Sequence, residues 1–254
     1  MNLSVVIAAY DERANIEPLV LRLDEAIATI PDCGRELIFV VEGRDGTREA
    51  LERLGLEIAG LRVLYQEQRA GCGAAFRRGF AAVAGDADYV VTLDADLNHQ
   101  PEEIPRLVAS AVRPGTDVVV GSRLLAGSQV WGIPLWKRAL SRGINSLMGP
   151  LLGLGVRDKT SGFRVYRAGV LRGLHFDDNQ FAFLPELLLR ATAAGYRVVE
   201  EPIQFRYRAQ GRSKMGFWAT SFSYLSLLQR GAKRPAWAFK KRSGRKPTAK
   251  SGPS

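Results

Sequence analysis

Through the first half of the chain, apolar residues come in short continuous runs rather than in alternation. Ser4–Ala9 (SVVIAA), Leu37–Val41 (LIFVV), Leu61–Tyr65, Tyr89–Leu93 and Asp117–Val120 each predict a strand buried on both faces. Between them, Ile16, Leu19, Leu23 and Ile27 repeat at helical spacing. Thr47–Leu54, Gly73–Val83 (built on Ala75, Phe76, Phe80 and Val83) and Glu102–Val112 predict three more helices. Strands separated by helices specify an α/β fold, a mostly parallel sheet with helices on both faces. Ligands of such sheets bind beyond the carboxyl ends of the strands, so the chemistry is expected there.

Those ends are polar. They read Tyr10-Asp11-Glu12, Glu42 through Thr47, Glu67 through Gly73, Asp94-Ala95-Asp96-Leu97-Asn98, and Gly121-Ser122-Arg123. Together they describe one acidic, glycine-lined crevice. Asp45 and Glu12 also read as helix caps. Asp94 and Asp96 say more: two carboxylates two residues apart repel each other, and a divalent cation relieves that. Hard oxygen ligands select Mg²⁺ or Mn²⁺, with Asn98 able to add a carbonyl oxygen. The Gly71-Cys72-Gly73 turn lacks the last glycine of a dinucleotide loop, so close helix–sheet packing is its favoured reading. Cys33 and Cys72 read as structural. Two cysteines and two histidines exclude a disulfide framework and a Cys- or His-rich zinc site.

The net charge of +10 is unevenly placed. Arg230–Ser254 holds nine of the 36 cations and no anion, leaving 27 cations against 26 anions before it. This basic, Pro/Ser/Gly-containing tail is expected to be disordered and attracted to anionic lipid. A second excess lies between Arg123 and Arg172, where nine cations meet only Asp158. There Trp131, Trp136, Leu140, Leu147 and Leu151 alternate with Lys137, Arg138 and Arg142, the pattern of amphipathic interface helices at about 131–154. The charges interrupt any run long enough to span a bilayer. The opening MNLSVVI lacks a basic n-region, so no signal peptide is expected. These divisions give a domain over 1–229 and a basic tail over 230–254.

Seven segments, in order, then resemble a family 2 glycosyltransferase of the GT-A fold, and within it the dolichyl- or polyprenyl-phosphate mannose synthases. They are AAYDE at Ala8–Glu12, GRDGT at Gly43–Thr47, AGCGAAFRRGF at Ala70–Phe80, DADLNHQPEEI at Asp94–Ile104, GSR at Gly121–Arg123, TSGFRVY at Thr160–Tyr166, and EEPIQFRYRAQGRSKMG at Glu200–Gly216. The resemblance covers about residues 3–228. It implies transfer of a sugar, most often mannose from GDP-mannose, to a polyprenyl or dolichyl phosphate. It implies that Ala8, Tyr10 and Glu12 line the nucleotide base and ribose, with Glu42 on the base side. Asp94 would meet the nucleotide-sugar, and Asp96 with Asn98 would hold Mg²⁺ or Mn²⁺ on the diphosphate. Arg123 and Arg138 would grip the acceptor phosphate, with Ser213 and Lys214 closing over the diphosphate or acceptor. The catalytic set is then Asp94, Asp96 and Arg123, working at the cytoplasmic face of a membrane as a peripheral protein.

Three positions depart from the family pattern. Glu42 stands alone where two adjacent aspartates are usual, Asn98 replaces a Gln, and Asp11 stands where Asn is frequent. The altered base side opens a second reading, a polyprenyl-phosphate transferase using a UDP-sugar such as UDP-glucose. A third, a non-catalytic basic module binding nucleic acid through the tail, lacks any recognition helix or aromatic-interleaved motif, and no nucleic acid partner is expected. Taken without the family, Arg123 reads as a carboxylate partner, Arg138 as the wet face of a helix, Ser161–Phe163 as a turn, and Tyr207 as a core or interface aromatic.

Overall fold

The computed structural model describes residues 1–207 and residue 224. The expected α/β architecture is present. Five strands follow the apolar runs: β1 (Asn2–Tyr10), β2 (Gly34–Glu42), β3 (Leu61–Gln66), β4 (Tyr89–Asp94) and β5 (Val118–Ser122). The helices between them are α1 (Arg13–Ala28), α2 (Thr47–Leu54), α3 (Cys72–Ala81) and α4 (Ile104–Val112), the last preceded by a 3₁₀ turn at Pro101–Glu103. Then come β6 (Gln129–Trp131), α5 (Leu135–Leu152), β7 (Arg164–Arg167), α6 (Ala168–Gly173), α7 (Phe183–Ala193), β8 (Val198–Pro202) and β9 (Gln204–Arg206).

Seven strands form one sheet in the order β3-β2-β1-β4-β7-β5-β8. All neighbours are parallel except β7, which runs antiparallel to both β4 and β5. Successive residues of each strand feed opposite cores, as the period-two geometry of a strand requires. Val5, Ile7, Phe39 and Leu93 join Ile16, Leu19 and Leu23 of α1 and Ile104 and Leu107 of α4. Val6, Ile38, Val90 and Val118 face the other way, onto Phe76 of α3, Met148 and Leu152 of α5, and Phe183 and Leu187 of α7. That double burial explains why the first strands read as unbroken apolar runs.

Strand β7 carries no such signature, because Arg164 at its start is fully buried. Its guanidinium donates to the carbonyls of Lys159, Ser161 and Leu184 at 2.7–2.8 Å and to the Tyr166 hydroxyl. A buried cation satisfied by backbone oxygens looks polar in sequence and sits in the core all the same. Between residues 131 and 154 the structure has a single helix, α5, following β6 rather than a helix pair. Leu135, Trp136, Leu147 and Leu151 of α5 are exposed, while Asn145, Met148 and Leu152 are buried. Among the described residues no helix is long and apolar enough to cross a membrane. The basic tail lies outside the described residues.

Candidate active site

The sheet register sets the site. Ala8 lies opposite Asp94 of β4 on one side and Val40 of β2 on the other, and Tyr10 lies opposite Glu42. These carboxyl ends open into a cavity of about 180 Å³ lined by Ala8, Tyr10, Glu12, Glu42, Asp94, Asp96 and Asn98, all expected from the sequence. A nucleotide-sugar needs more room than that. The adjoining groove, lined by Asp11, Gly43, Asp45 and Gln68 and sharing Tyr10 and Arg69 with the cavity, extends it.

At the β2 end, the buried Glu42 is anchored through Oε1, which accepts from the Gln66 side chain at 2.9 Å and from the Ala70 backbone at 3.1 Å. Both bonds fall on one oxygen, and the residue lines the cavity. Asp45 takes the capping role: it accepts from the Thr47 backbone N–H and hydroxyl and from the Arg13 N–H, tying α1 to α2. Asp11 adopts a left-handed φ of 50°, a conformation in which Asn and Asp are enriched among non-glycine residues.

At the β4 end, Leu97 is also left-handed (φ 59°), and it turns Asn98 back onto Asp96. Asn98 donates its backbone N–H to Asp96 Oδ1 at 3.1 Å and its side-chain amide to Oδ2 at 2.6 Å. Gly162 of the TSGF segment stands so close that a Cβ there would lie 3.4 Å from an Asp94 carboxylate oxygen, which leaves Asp94 room at the cavity floor. Among the described residues no group of three or more His, Cys, Asp or Glu is gathered to hold an ion on its own. Two carboxylates and an amide, all hard oxygen ligands, suit a divalent cation that takes its remaining ligands from a substrate diphosphate. The residues fit such an ion.

The glycine turn before α3 serves packing. The Gly73 and Ala74 N–H groups both donate to the Asn179 carbonyl, and a Cβ on Gly73 would lie 2.2 Å from the Asp178 carbonyl oxygen. The α3 N-terminus is therefore closed by the 174–182 loop, which also brings Phe181 to the cavity wall. Cys72 lines the cavity too, and burial pushes its thiol pKa well up.

The expected acceptor residues separate. Arg123 is held by the buried Asp158: its Nε donates to Oδ2 and its Nη2 to Oδ1, both at 2.8 Å. Arg138 is exposed on α5, while its neighbour Lys137 donates to the Tyr207 hydroxyl at 2.6 Å. Tyr207 lines the cavity, so Lys137 rather than Arg138 stands at its mouth. Ser213 and Lys214 lie outside the described residues. Sequence reasoning missed Arg69, whose guanidinium covers the Tyr10 ring at 4.4 Å, and also Phe181, Lys137 and Asp158. It passed over His99, buried between Phe163 and Phe205 with neither ring nitrogen hydrogen-bonded among the described residues. Burial, and then the nearby Arg123 charge, lower its pKa to about 3, so the ring is neutral.

A mostly parallel sheet with a carboxylate cavity at its strand ends is the arrangement of a GT-A glycosyltransferase. The chain belongs to glycosyl transferase family 2, whose sequence profile matches residues 4–174. It is 33% identical over 235 residues to a dolichol-phosphate mannosyltransferase of Pyrococcus furiosus, covering 91% of this chain but only 63% of that longer protein. It is 36% identical over 218 residues to a polyprenol monophosphomannose synthase of Mycolicibacterium smegmatis, 83% of this chain and 80% of that one. Its fold is shared with the glucosyl-3-phosphoglycerate synthase of Mycobacterium tuberculosis, solved with Mn²⁺, UDP and phosphoglyceric acid, at a TM-score of 0.61 and 22% identity over 92% of this chain and 76% of that one.

Proposed function

We propose that this glycosyltransferase moves mannose from GDP-mannose onto a polyprenyl or dolichyl phosphate at a membrane surface, with inversion at the sugar carbon. The observation that carries this reading is the Lys137–Tyr207 contact. It joins the start of α5, where Leu135 and Trp136 are exposed just after the exposed Trp131 of β6, to the cavity holding Asp94 and Asp96. An apolar, basic surface placed at the mouth of a donor cavity suits an acceptor whose tail lies in lipid and whose head is an anion. The relatives' names agree, two of them being polyprenyl-phosphate mannosyltransferases.

The acceptor explains the chemistry the site lacks. A phosphate monoester has its second pKa near 6, so it is an anion at neutral pH and attacks without a strong general base. One phosphate oxygen bonds to C1 of the sugar as the bond from C1 to the donor diphosphate breaks, and the nucleoside diphosphate leaves. The protein supplies alignment and charge compensation. Asp94 and Asp96, with Asn98, would hold Mg²⁺ or Mn²⁺, which supplies charge neutralisation on the departing diphosphate. Glu42, fixed by Gln66 and Ala70, offers a carboxylate oxygen to N–H groups of the base. Arg123 and Lys137 face the incoming phosphate from the α5 side.

A UDP-sugar donor is the second reading, favoured by Glu42 standing in place of the usual aspartate pair and by the UDP-binding fold relative. Equilibrium binding separates the two: GDP with Mn²⁺ should bind at least tenfold tighter than UDP, and a chelator should weaken it. UDP binding tighter than GDP would overturn the donor assignment.

A further inference from the structure

The loop after α5 holds a carboxylate that the donor site does not use. Asp158 is fully buried, and its position is fixed from behind by Glu200 of β8, which accepts from the Arg157 and Asp158 N–H groups at 2.6 and 2.9 Å. In front it meets Arg123 three times, through the backbone N–H, Nε and Nη2. Thr160 accepts the second Nη2 proton at 2.9 Å, and Asn145 of α5 donates to that same hydroxyl at 3.2 Å. The Phe205 ring lies under the guanidinium, 5.3 Å from its centre.

An arginine has five N–H donors in a rigid fork. Here Asp158 and Thr160 take the three on the Nε/Nη2 edge. Nη1 makes no hydrogen bond among the described residues, and the side chain is 19% exposed. Among the described residues the guanidinium is therefore clamped on its Nε/Nη2 edge and stacked on one face, with Tyr224 also near it, and Nη1 is the end that carries no hydrogen bond. Tied through Thr160 to Asn145, it is also fixed relative to α5, the helix that bears the exposed apolar face.

We propose that Asp158 is the positioning residue of the acceptor arm: it clamps the Nε/Nη2 edge of Arg123 so that Nη1 alone is presented to the acceptor phosphate, at a fixed angle. This rests on the reading that Arg123 meets that phosphate. The clamp serves aim at the expense of attraction, because a carboxylate beside Arg123 weakens its pull on an anion. The two effects separate in kinetics. Losing the clamp leaves phosphate binding intact or tighter, while an arginine free to swing misaligns the attacking oxygen and lowers turnover.

The test compares the full chain with its Asp158→Asn and Arg123→Ala variants. Binding of a short-chain prenyl phosphate is measured by calorimetry, and kcat is measured with saturating donor and acceptor. Arg123→Ala should raise the prenyl phosphate Kd at least tenfold. Asp158→Asn should lower kcat at least tenfold with a Kd equal to or below that of the parent. In the double variant kcat should fall no further than in Arg123→Ala, since both changes remove one device. If Asp158→Asn does not fold, Thr160→Val, which loosens the same edge, should show the same split at about two- to fivefold. A folded Asp158→Asn whose kcat stays within twofold of the parent, or one that loses binding instead of turnover, overturns the clamp. An Arg123→Ala variant that binds prenyl phosphate as tightly as the parent overturns the underlying reading, and the clamp with it.

Discussion

The Lys137 ammonium donates to the Tyr207 hydroxyl at 2.6 Å while lying 4.9 Å from the centre of the same ring, so a residue at the start of α5 is fixed to a residue that lines the strand-end cavity. The contact ties the N-terminal end of α5 to the cavity wall. Leu147 and Leu151, 63% and 58% exposed, make an apolar face of that helix available to lipid. Changing both to Glu should cut binding to anionic vesicles at least tenfold in a sedimentation assay, since each burial in lipid is worth on the order of 1.5–3 kcal/mol. Their exposure predicts a Tm change under about 2 °C. Undiminished vesicle binding by the double variant would remove α5 from the membrane account.

Glu42 is anchored through Oε1, and in the proposed function its carboxylate meets the nucleotide base. Glu42→Gln keeps the shape and removes the charge. A hydrogen bond to a charged group contributes about 1.5–3 kcal/mol, so the donor KM should rise roughly 10- to 100-fold with little change in kcat. Steady-state kinetics with varied donor reads this directly, and an unchanged donor KM would take Glu42 out of base recognition.

Gly73 has no space for a side chain, because the Asp178 carbonyl oxygen would stand 2.2 Å from a Cβ. Gly73→Ala must push the 174–182 loop off the start of α3, breaking the bonds to the Asn179 carbonyl and moving Phe181 from the cavity wall. A loss of about 1–3 kcal/mol in denaturant stability is expected, together with weaker nucleotide binding. Wild-type stability in this variant would show that the loop is not seated on the helix end.

Asp158 makes the fold sensitive to acid. Burial alone would raise its pKa, but the Arg123 charge and the hydrogen bonds from Arg123 and Thr160 outweigh that and hold it at about 2, below the ordinary 3.8. A carboxylate with a depressed folded pKa contributes stability that is complete above the unfolded value and lost as pH falls through the folded one. About 2 kcal/mol should therefore disappear between pH 4 and pH 2. Asp158→Asn should lack that component, while costing about 3–5 kcal/mol at neutral pH by stranding Arg123. Urea unfolding across this range checks both slopes.

The first five strands and their helices are legible in the sequence because each strand is buried on both faces, so hydropathy alone marks it. Seven residues of the cavity lining are legible for a related reason: a sheet aligns its strand ends by register, and polar residues just past an apolar run share one crevice. Strand β7 escapes because Arg164 satisfies its charge on backbone carbonyls, which composition cannot reveal. The Lys137–Tyr207 contact escapes because it depends on orientation. Lys137 and Arg138 are adjacent in the chain, yet neighbouring helix positions point about 100° apart, and only Lys137 reaches Tyr207. Asp158 stands 35 positions from Arg123, an isolated acid in a basic stretch, and only the folded sheet brings the two together.

Sugar transfer itself tests the proposed activity most directly. Purified protein with Mn²⁺ and a polyprenyl phosphate is given labelled GDP-mannose, and in parallel labelled UDP-glucose, with Asp96→Ala alongside. Label should enter lipid from GDP-mannose, with at most weak transfer from UDP-glucose and a fall of at least about 100-fold in the variant, since the carboxylate that would hold the ion is gone. Lipid labelling by Asp96→Ala at the parent rate, or no transfer from GDP-mannose by the parent itself, would contradict the proposal.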